Sequence, residues 1–391
     1  MDYFLTEEQK MIQEMARKIA REKVAPIAAK LDETGEFPWE IMKVLSEVGL
    51  MGVYIPQEYG GLGFGAFELC LTVEELSRVC SGVAVTFAAN ALATFPIILF
   101  GTPEQKKKYL PDVASGKKMA AFALTEAEAG SDAGGVKTKA DKNGDNYVIN
   151  GTKQWITNGG EAEIYTVFCV TDKNKGMRGV STIIVEKDTP GFSFGKKENK
   201  LGIRCSSTRE LMFDDCRVPK ANILAKEGMG FIVAMKTLDK ARPGVGAQAL
   251  GIAQGALDEA LKFAKERKQF GHPITHFQAV QHMLADMGTQ IEAARALIYA
   301  TARMIDSGAK NFSKESAMSK LFASDTAMKV TTDAIQVMGG HGYMKDYPVE
   351  KMFRDAKITQ IYEGTNQIQR NVIALELIKE SQQQEKVAVG T

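Results

Sequence analysis

The sequence is poor in the residues that build metal and redox centres. It holds four histidines and five cysteines among 391 residues. His272, His276, His282 and His341 form no spaced cluster with Cys70, Cys80, Cys169, Cys205 and Cys216, so no metal site is expected. No C-x-x-C pair occurs, and free thiols fit a reducing cytoplasm. No run of about 18 uninterrupted apolar residues exists, so no membrane span is expected. The opening "MDYFLTEEQK" lacks the charged-then-apolar order of a signal peptide and the Arg-rich look of a transit peptide, which again points to a cytoplasmic location. Charge of one sign is missing too. A balance of 49 Lys and Arg against 48 Asp and Glu gives +1, with no basic or acidic block. That speaks against nucleic acid as the main partner.

The usual nucleotide loops are also absent. "GGLGFG" (60–65) follows "IPQEY" and lacks the G-x-G-x-x-G spacing of a strand–turn–helix unit, so it reads as a turn. "GVGAQALG" (244–251) lies inside a helical pattern behind Pro243, where small residues let helices approach closely. "SGKK" (115–118) has no Gly-rich lead-in. A dinucleotide must therefore be held another way. No Ser-His-Asp set can be argued from spacing, and His341 in "GGHGY" (339–343) reads as a structural loop residue.

What is present suits a globular chain. Apolar residues make up 45% and charged residues 25%, and the length suggests two or three domains. Residues 1–119 read as helices. Thr6 with Gln9 forms a capping-box pattern, Ile12, Met15, Ala16 and Ile19 follow at helical spacing, and Pro26 and "DETGEFP" mark breaks. Further helices are expected near 38–49, 66–79 and 83–99. From 120 to 230 the texture changes to short β-branched and aromatic runs such as "YVINGTKQWIT" and "GVSTIIVEK", separated by turn signals. From 231 to 391 long helical stripes return, up to a tail "SQQQEKVAVGT" that reads as frayed. The fold class is α+β, with a helical N-terminal domain, a middle β-sheet domain and a C-terminal helical bundle.

"IYEGTNQIQR" (361–370) sets the functional question. Glu363 is either a solvated acid near a helix start or a base. A free Glu ionises near pH ~4.3, too low for a strong base at neutral pH. Burial would raise that value, whereas the positive end of the following helix would lower it. The residues alone leave both readings open.

Four segments taken together resemble the acyl-CoA dehydrogenase family: "LTEAEAGSDA" (124–133), "KQWITNGG" (153–160), "RKQFGHPI" (267–274) and the long stretch from Gln336 to Arg370. They span nearly the whole chain and stand in the family's order. The resemblance implies a flavoenzyme with FAD that converts an acyl-CoA thioester to a trans-2-enoyl-CoA. It further implies electron transfer to electron-transfer flavoprotein and a homotetramer. By the resemblance Glu363 is the catalytic base, and the N–H of Gly364 meets the thioester oxygen. Phe122, Leu124, Thr125 and Ser131 are placed at the flavin ring and pyrophosphate, Trp155 against the isoalloxazine and Thr157 near its N5. Arg267, Gln269 and Phe270, with Gln336 and Gly340, are expected at the adenosine half of FAD bound by a neighbouring subunit. Thr365 and Gln367 close the site. Ser131, Leu238, Asp239 and Arg242 match the positions that bind CoA.

Two departures from the family pattern matter. One branch carries its base on the helix containing "LDKARPG" (238–244), where this chain has Ala241, which cannot serve. The usual Thr-Glu-Pro reads Thr-Glu-Ala, with Ala127, from which a small change in turn rigidity and no loss of FAD is expected. The stretch "TFAANALATFPI" (86–97) matches the helix that lines the acyl pocket. It has no Lys or Arg for a distal carboxylate, so a glutaryl-type substrate is disfavoured. Short straight chains are the first expectation. A branched or alicyclic acyl-CoA, of the cyclohexanecarboxyl-CoA type, is the alternative, since alanines leave width. A flavin acyl-CoA oxidase and a non-enzymatic, degenerate homologue are the remaining rivals.

Overall fold

The computed structural model describes residues 3–389. The chain starts with helices α1 (Glu7–Ile19), α2 (Ala28–Thr34), α3 (Trp39–Glu47), α4 (Ala66–Ser77), α5 (Ser81–Phe100) and α6 (Pro103–Ala114). Thr6 caps α1: its side chain accepts the Gln9 N–H, and Gln9 answers the Thr6 N–H. Two backbone donors that a helix start leaves unpaired are thereby satisfied. Thr102 and Gln105 repeat the device on α6. Pro26 bends the chain without stopping it. The backbone passes through a π turn (Ala20–Val24) and a 3-10 turn (Ala25–Ile27) into α2, where a missing N–H costs little. Gly35, at φ 67°, ends that helix in the left-handed conformation glycine tolerates.

The middle of the chain is a mixed sheet: β1 (Ala120–Ala123), β2 (Lys139–Asn143), β3 (Asn146–Thr157), β4 (Ile164–Val170), β5 (Val180–Glu186), β6 (Phe192–Lys197), β7 (Thr208–Pro219) and β8 (Ile223–Leu224). The strand order is β6-β7-β3-β2-β4-β5-β8, and β1 pairs in parallel with β4. The long β3–β7 ladder is antiparallel and breaks register twice, once across Asn150 and again between Lys153 and Ile156. The second break matters for the site. A bulge leaves a residue unpaired and re-aims its side chain.

The last third is helical again. α7 (Gly230–Glu266) is followed by a two-stranded arm, β9 (Lys268–Gln269) and β10 (His272–Pro273). α8 (Gln278–Asp306), α9 (Ser313–Met338), α10 (Val349–Thr359) and α11 (Asn366–Val389) complete the bundle. α11 continues to Val389, inside the segment read as frayed, whose last two residues lie outside the described ones; Gln, Glu and Lys are good helix formers there. "GVGAQALG" lies inside α7, as its small residues suggest. A Cβ on Gly251 would stand 2.3 Å from the Glu74 carbonyl, and one on Gly255 2.2 Å from that of Arg78. α7 and α4 can cross this closely only over glycine.

α5 is long and apolar enough, by length and composition, to cross a membrane. Ser, Thr and Asn interrupt its apolar letters, which is why a search for an unbroken run misses it. It is a core helix, with 72% of its apolar window buried within the protein. Its buried Asn90 accepts the Ala120 N–H at 2.7 Å, and Asn158 donates to the Thr86 carbonyl at 3.1 Å. These bonds fasten α5 to the start and the end of the strands that carry the site.

Candidate active site

Two adjoining cavities lie where the sheet meets both helical regions. The first, about 330 Å³, is lined by α5 (Val85, Ala88, Ala89, Ala91, Leu92, Phe95), by α7 (Leu238, Ala241, Arg242, Val245, Gln248) and by Phe122, Leu124 and Ile368. The second, about 590 Å³, is walled by the 198–203 segment, Arg354, Lys357, Ile361 and Thr365. Thr125, Gly130, Ser131, Trp155, Thr157, Tyr362, Glu363 and Gly364 face both. Glu363 therefore stands between them.

The conformation at Glu363 is costly. Glu363 has φ 53° and Gly364 φ 93°. A non-glycine residue in the left-handed region costs on the order of 1–3 kcal/mol and persists only where its surroundings enforce it. Here they do. Gln369 donates to the carbonyls of Glu363 (3.1 Å) and Gly364 (2.9 Å), and Lys320 donates to the Gly364 carbonyl at 2.9 Å. Thr365 then caps α11 by accepting the Ile368 N–H. The Gly364 N–H has no acceptor among the described residues.

The electrostatics answer the question the sequence left open. Burial pushes the Glu363 carboxyl from its ordinary 4.5 up to about 7, although Arg242 and Lys320 pull it back. Desolvation thus outweighs the two cations. The Oε2 of Glu363 is sealed from solvent and has no hydrogen-bond partner among the described residues. A carboxylate left bare and near neutrality is poised to take a proton. Beneath it, the Tyr362 hydroxyl donates to Gln248, whose amide donates to Ser81 at 2.7 Å. Burial and the neighbouring Glu363 charge raise the Tyr362 phenol, which stays neutral.

Arg242 is buried and paired with Asp239 at 2.7 Å. Ser313 holds the other Asp239 oxygen at 2.5 Å. Burial lowers the guanidinium, and the Asp239 and Glu363 charges oppose that. Its Nε has no partner among the described residues. Arg242 faces the first cavity; Asp239 orients it without lining the cavity.

Trp155 owes its position to the bulge in β3. It lies inside the break between Lys153 and Ile156, with φ 57°, and 55% of it is exposed within the cavity wall. A large aromatic side chain left this bare, on a strained backbone, marks a surface for a partner group. The facing segment is pinned by residues the sequence reading missed. Lys153 is fully buried and donates to Glu126 (2.7 Å) and to the Leu124 carbonyl (3.0 Å). The Glu126 carboxylate also accepts the N–H groups of Lys137 and Thr138. With the turn held this way, the exposed Ala127 has little left to stiffen.

Phe122, Leu124, Thr125, Ser131, Trp155, Thr157, Leu238, Arg242, Glu363 and Gly364 all come together at the two cavities, and Thr365 joins them at the second. Gln367 points away, exposed on α11. Arg267, Gln269 and Phe270 are exposed at the α7 end and on the arm, and Gln336 and Gly340 are exposed at the end of α9. None of these six residues lines either cavity of its own chain. Lys320, Gln248, Asn366 and Gln369 are the further residues that geometry adds. One sequence signal was available for Lys320: it interrupts a stripe of Ala and Ser at helical spacing on α9, where an unpaired lysine has no place.

The comparisons cover the chain end to end. Family models match in order: acyl-CoA dehydrogenase N-terminal domain over 6–117, middle domain over 121–216 and C-terminal domain over 228–378. An acryloyl-CoA reductase (NADH) of Anaerotignum propionicum is 51% identical over 97% of this chain and 96% of its own. A short-chain-specific acyl-CoA dehydrogenase of Clostridium acetobutylicum is 50% identical, and a cyclohexane-1-carbonyl-CoA dehydrogenase of Geobacter metallireducens 48%, each over 96% of this chain and 99% of its own. The solved butyryl-CoA dehydrogenase of Megasphaera elsdenii matches with a TM-score of 0.94 at 47% identity, over 97% of this chain and 100% of that one. A chain solved in work on the electron transferring flavoprotein of Acidaminococcus fermentans matches with a TM-score of 0.94 at 52% identity, over 96% and 99%. The chain belongs to the acyl-CoA dehydrogenase family of FAD-dependent oxidoreductases.

Proposed function

We propose that this enzyme oxidises a short straight-chain acyl-CoA to the trans-2-enoyl-CoA, with Glu363 as the base, and passes the electrons to electron-transfer flavoprotein. The observation that carries the reading is Glu363 itself: near neutrality, unpartnered at Oε2, and facing both cavities.

The residues fit FAD. The larger cavity offers the half-bare face of Trp155 for a flat ring system and the side chains of Thr125, Ser131 and Thr157 for polar contacts. Arg267, Gln269, Phe270, Gln336 and Gly340 lie outside it, with Phe270 89% exposed. That placement supports a cofactor shared with a second copy, and so the homotetramer we propose. Bound FAD supplies the acceptor for the β hydride.

The other parts of the reaction fall to the chain. The acyl group enters the cavity lined by α5, and its pantetheine end runs past Leu238 and Arg242. The Gly364 N–H, free of an internal acceptor, binds the thioester oxygen and stabilises the enolate-like charge that develops there. The Glu363 carboxylate takes the α proton. The apolar walls exclude water, which keeps the carboxylate basic. Ala241, on the same wall, offers only a methyl group.

Similarity to the butyryl-CoA and short-chain enzymes supports the substrate class. Ala88, Ala89 and Ala91 leave width for a ring, and together with similarity to the cyclohexane-1-carbonyl-CoA dehydrogenase they favour an alicyclic acyl-CoA as the second reading. The test is an anaerobic titration of the holoenzyme, followed by flavin absorbance. Bleaching by butyryl-CoA with slow or no bleaching by cyclohexanecarboxyl-CoA is expected. The reverse order overturns the substrate assignment. Peroxide release at the rate of turnover in air points to an oxidase.

A further inference from the structure

Resting on the reading of Glu363 as the base, we propose that Lys320 is a positioning residue for it: one ammonium fixes the strained Glu363–Gly364 turn and sets the field under the carboxylate. The Lys320 side chain reaches from α9 to the start of α11. Its Nζ donates to the Gly364 carbonyl at 2.9 Å and to Asn366 Oδ1 at 2.8 Å, and the residue is fully buried. Asn366 is held in turn. Its amide donates to Ser324 (2.9 Å) and Asp325 (2.7 Å), and its backbone N–H goes to the Gln360 carbonyl at 3.0 Å. Asp325 also accepts from Gln360 and Arg370. The carbonyl of one of the two left-handed residues is thus tied to a rigid network on α9.

The geometry aims the Gly364 peptide as well as the base. A lysine that pulls on the Gly364 carbonyl steadies the turn that carries that residue's N–H. An apolar side chain could fill the space but could not donate to that carbonyl, and a neutral donor such as Gln369 adds no charge beside Glu363. The groups facing Lys320 are Glu363, Arg242 and Asp325. Burial lowers its ammonium to about 7, against the pull of Glu363. Lys320 and Glu363 therefore titrate in the same range, each favouring the charged form of the other. The cost of burying this lysine fits a role beyond packing, because every other buried position on α9 holds an uncharged side chain, such as Ser316, Ala323 and Ala327 around it.

The test compares pH profiles of kcat/KM and kcat for wild-type holoenzyme, Lys320→Met, Gln369→Met and Glu363→Gln, with butyryl-CoA and flavin content checked in each. Removing the cation weakens the carboxylate's hold on its charged form. Lys320→Met is expected to move the acid limb of kcat/KM up by about one pH unit. It is also expected to lower kcat at least about tenfold, with KM changed less. Gln369→Met removes a neutral donor from the same turn, so kcat falls and the limb stays. A Lys320→Met enzyme whose limb remains at the wild-type pH overturns the proposal, whatever its rate. If Lys320→Met does not accumulate with flavin, Lys320→Gln is scored by the same limb, and wild-type kcat in Gln369→Met overturns the part assigned to the turn. Glu363→Gln separates the two levels. Near wild-type activity there sinks the base itself, whereas an inactive Glu363→Gln beside an unmoved limb in Lys320→Met sinks only the role of Lys320.

Discussion

Replacing Glu363 by an amide should make the protein more stable, and increasingly so as pH rises toward and past neutrality. Glu363 is moved from an ordinary 4.5 to about 7, with the pull of Arg242 and Lys320 already included. At about 1.4 kcal/mol per pH unit, the ionised carboxylate destabilises the fold by roughly 3 kcal/mol at most. The sign follows from which state holds the proton. Below pH 4.5 both folded and unfolded chains keep it, and no penalty exists. Between 4.5 and about 7 the unfolded chain releases it while the fold retains it, so stability falls with rising pH. Above about 7 the penalty is complete. Glu363→Gln keeps the shape and removes the ionisation. The assay is denaturant unfolding of wild type and variant from pH 5 to pH 9 at equal flavin content. The stability difference, variant minus wild type, should widen by about 2–3 kcal/mol across that range. The change with pH matters more than the absolute difference, since the amide brings its own contacts. A gap that is constant, or that narrows as pH rises, would refute the claim that burial dominates at Glu363.

The same shift predicts kinetics. kcat/KM should fall about tenfold per pH unit below roughly pH 7, and Glu363→Gln should lose about two to four orders of magnitude in flavin reduction by stopped flow. Arg242→Ala leaves Asp239 buried with Ser313 as its remaining side-chain partner among the described residues, so a loss of about 3–5 kcal/mol in unfolding free energy is expected; it also removes a cation beside Glu363, and the acid limb should move up. Trp155→Ala should weaken flavin retention several-fold, equivalent to about 0.5–1.5 kcal/mol of aromatic contact, while Trp155→Phe keeps most of it; flavin-to-protein absorbance ratios after dilution measure both.

The overall layout was legible because it depends on local periodicity. Thr6 and Gln9, the helical stripes and the β-branched runs each report their own element, and α5 stood out as a helix even though its polar letters hid its overall apolarity. The chemistry was legible only at residues that stand in recognisable segments. Glu363 could be named from "IYEGT", but its ionisation could not be derived from it. That value depends on burial among α5, α7 and α9, opposed by Arg242 and Lys320, which lie 121 and 43 positions away along the chain. Sequence shows the helix start three residues on, and conceals the burial and the two cations. Trp155 shows the same limit. Its β-rich surroundings predict a core aromatic, and only the register break against β7 turns it outward. Lys320 is the clearest case. A lysine in a run of Ala and Ser can be noticed as an irregularity, yet its meaning requires knowing that α11 begins opposite it and that the Gly364 carbonyl points its way. The residues that shape the surroundings of Glu363 come from separate helices, and they act together only because those helices pack there.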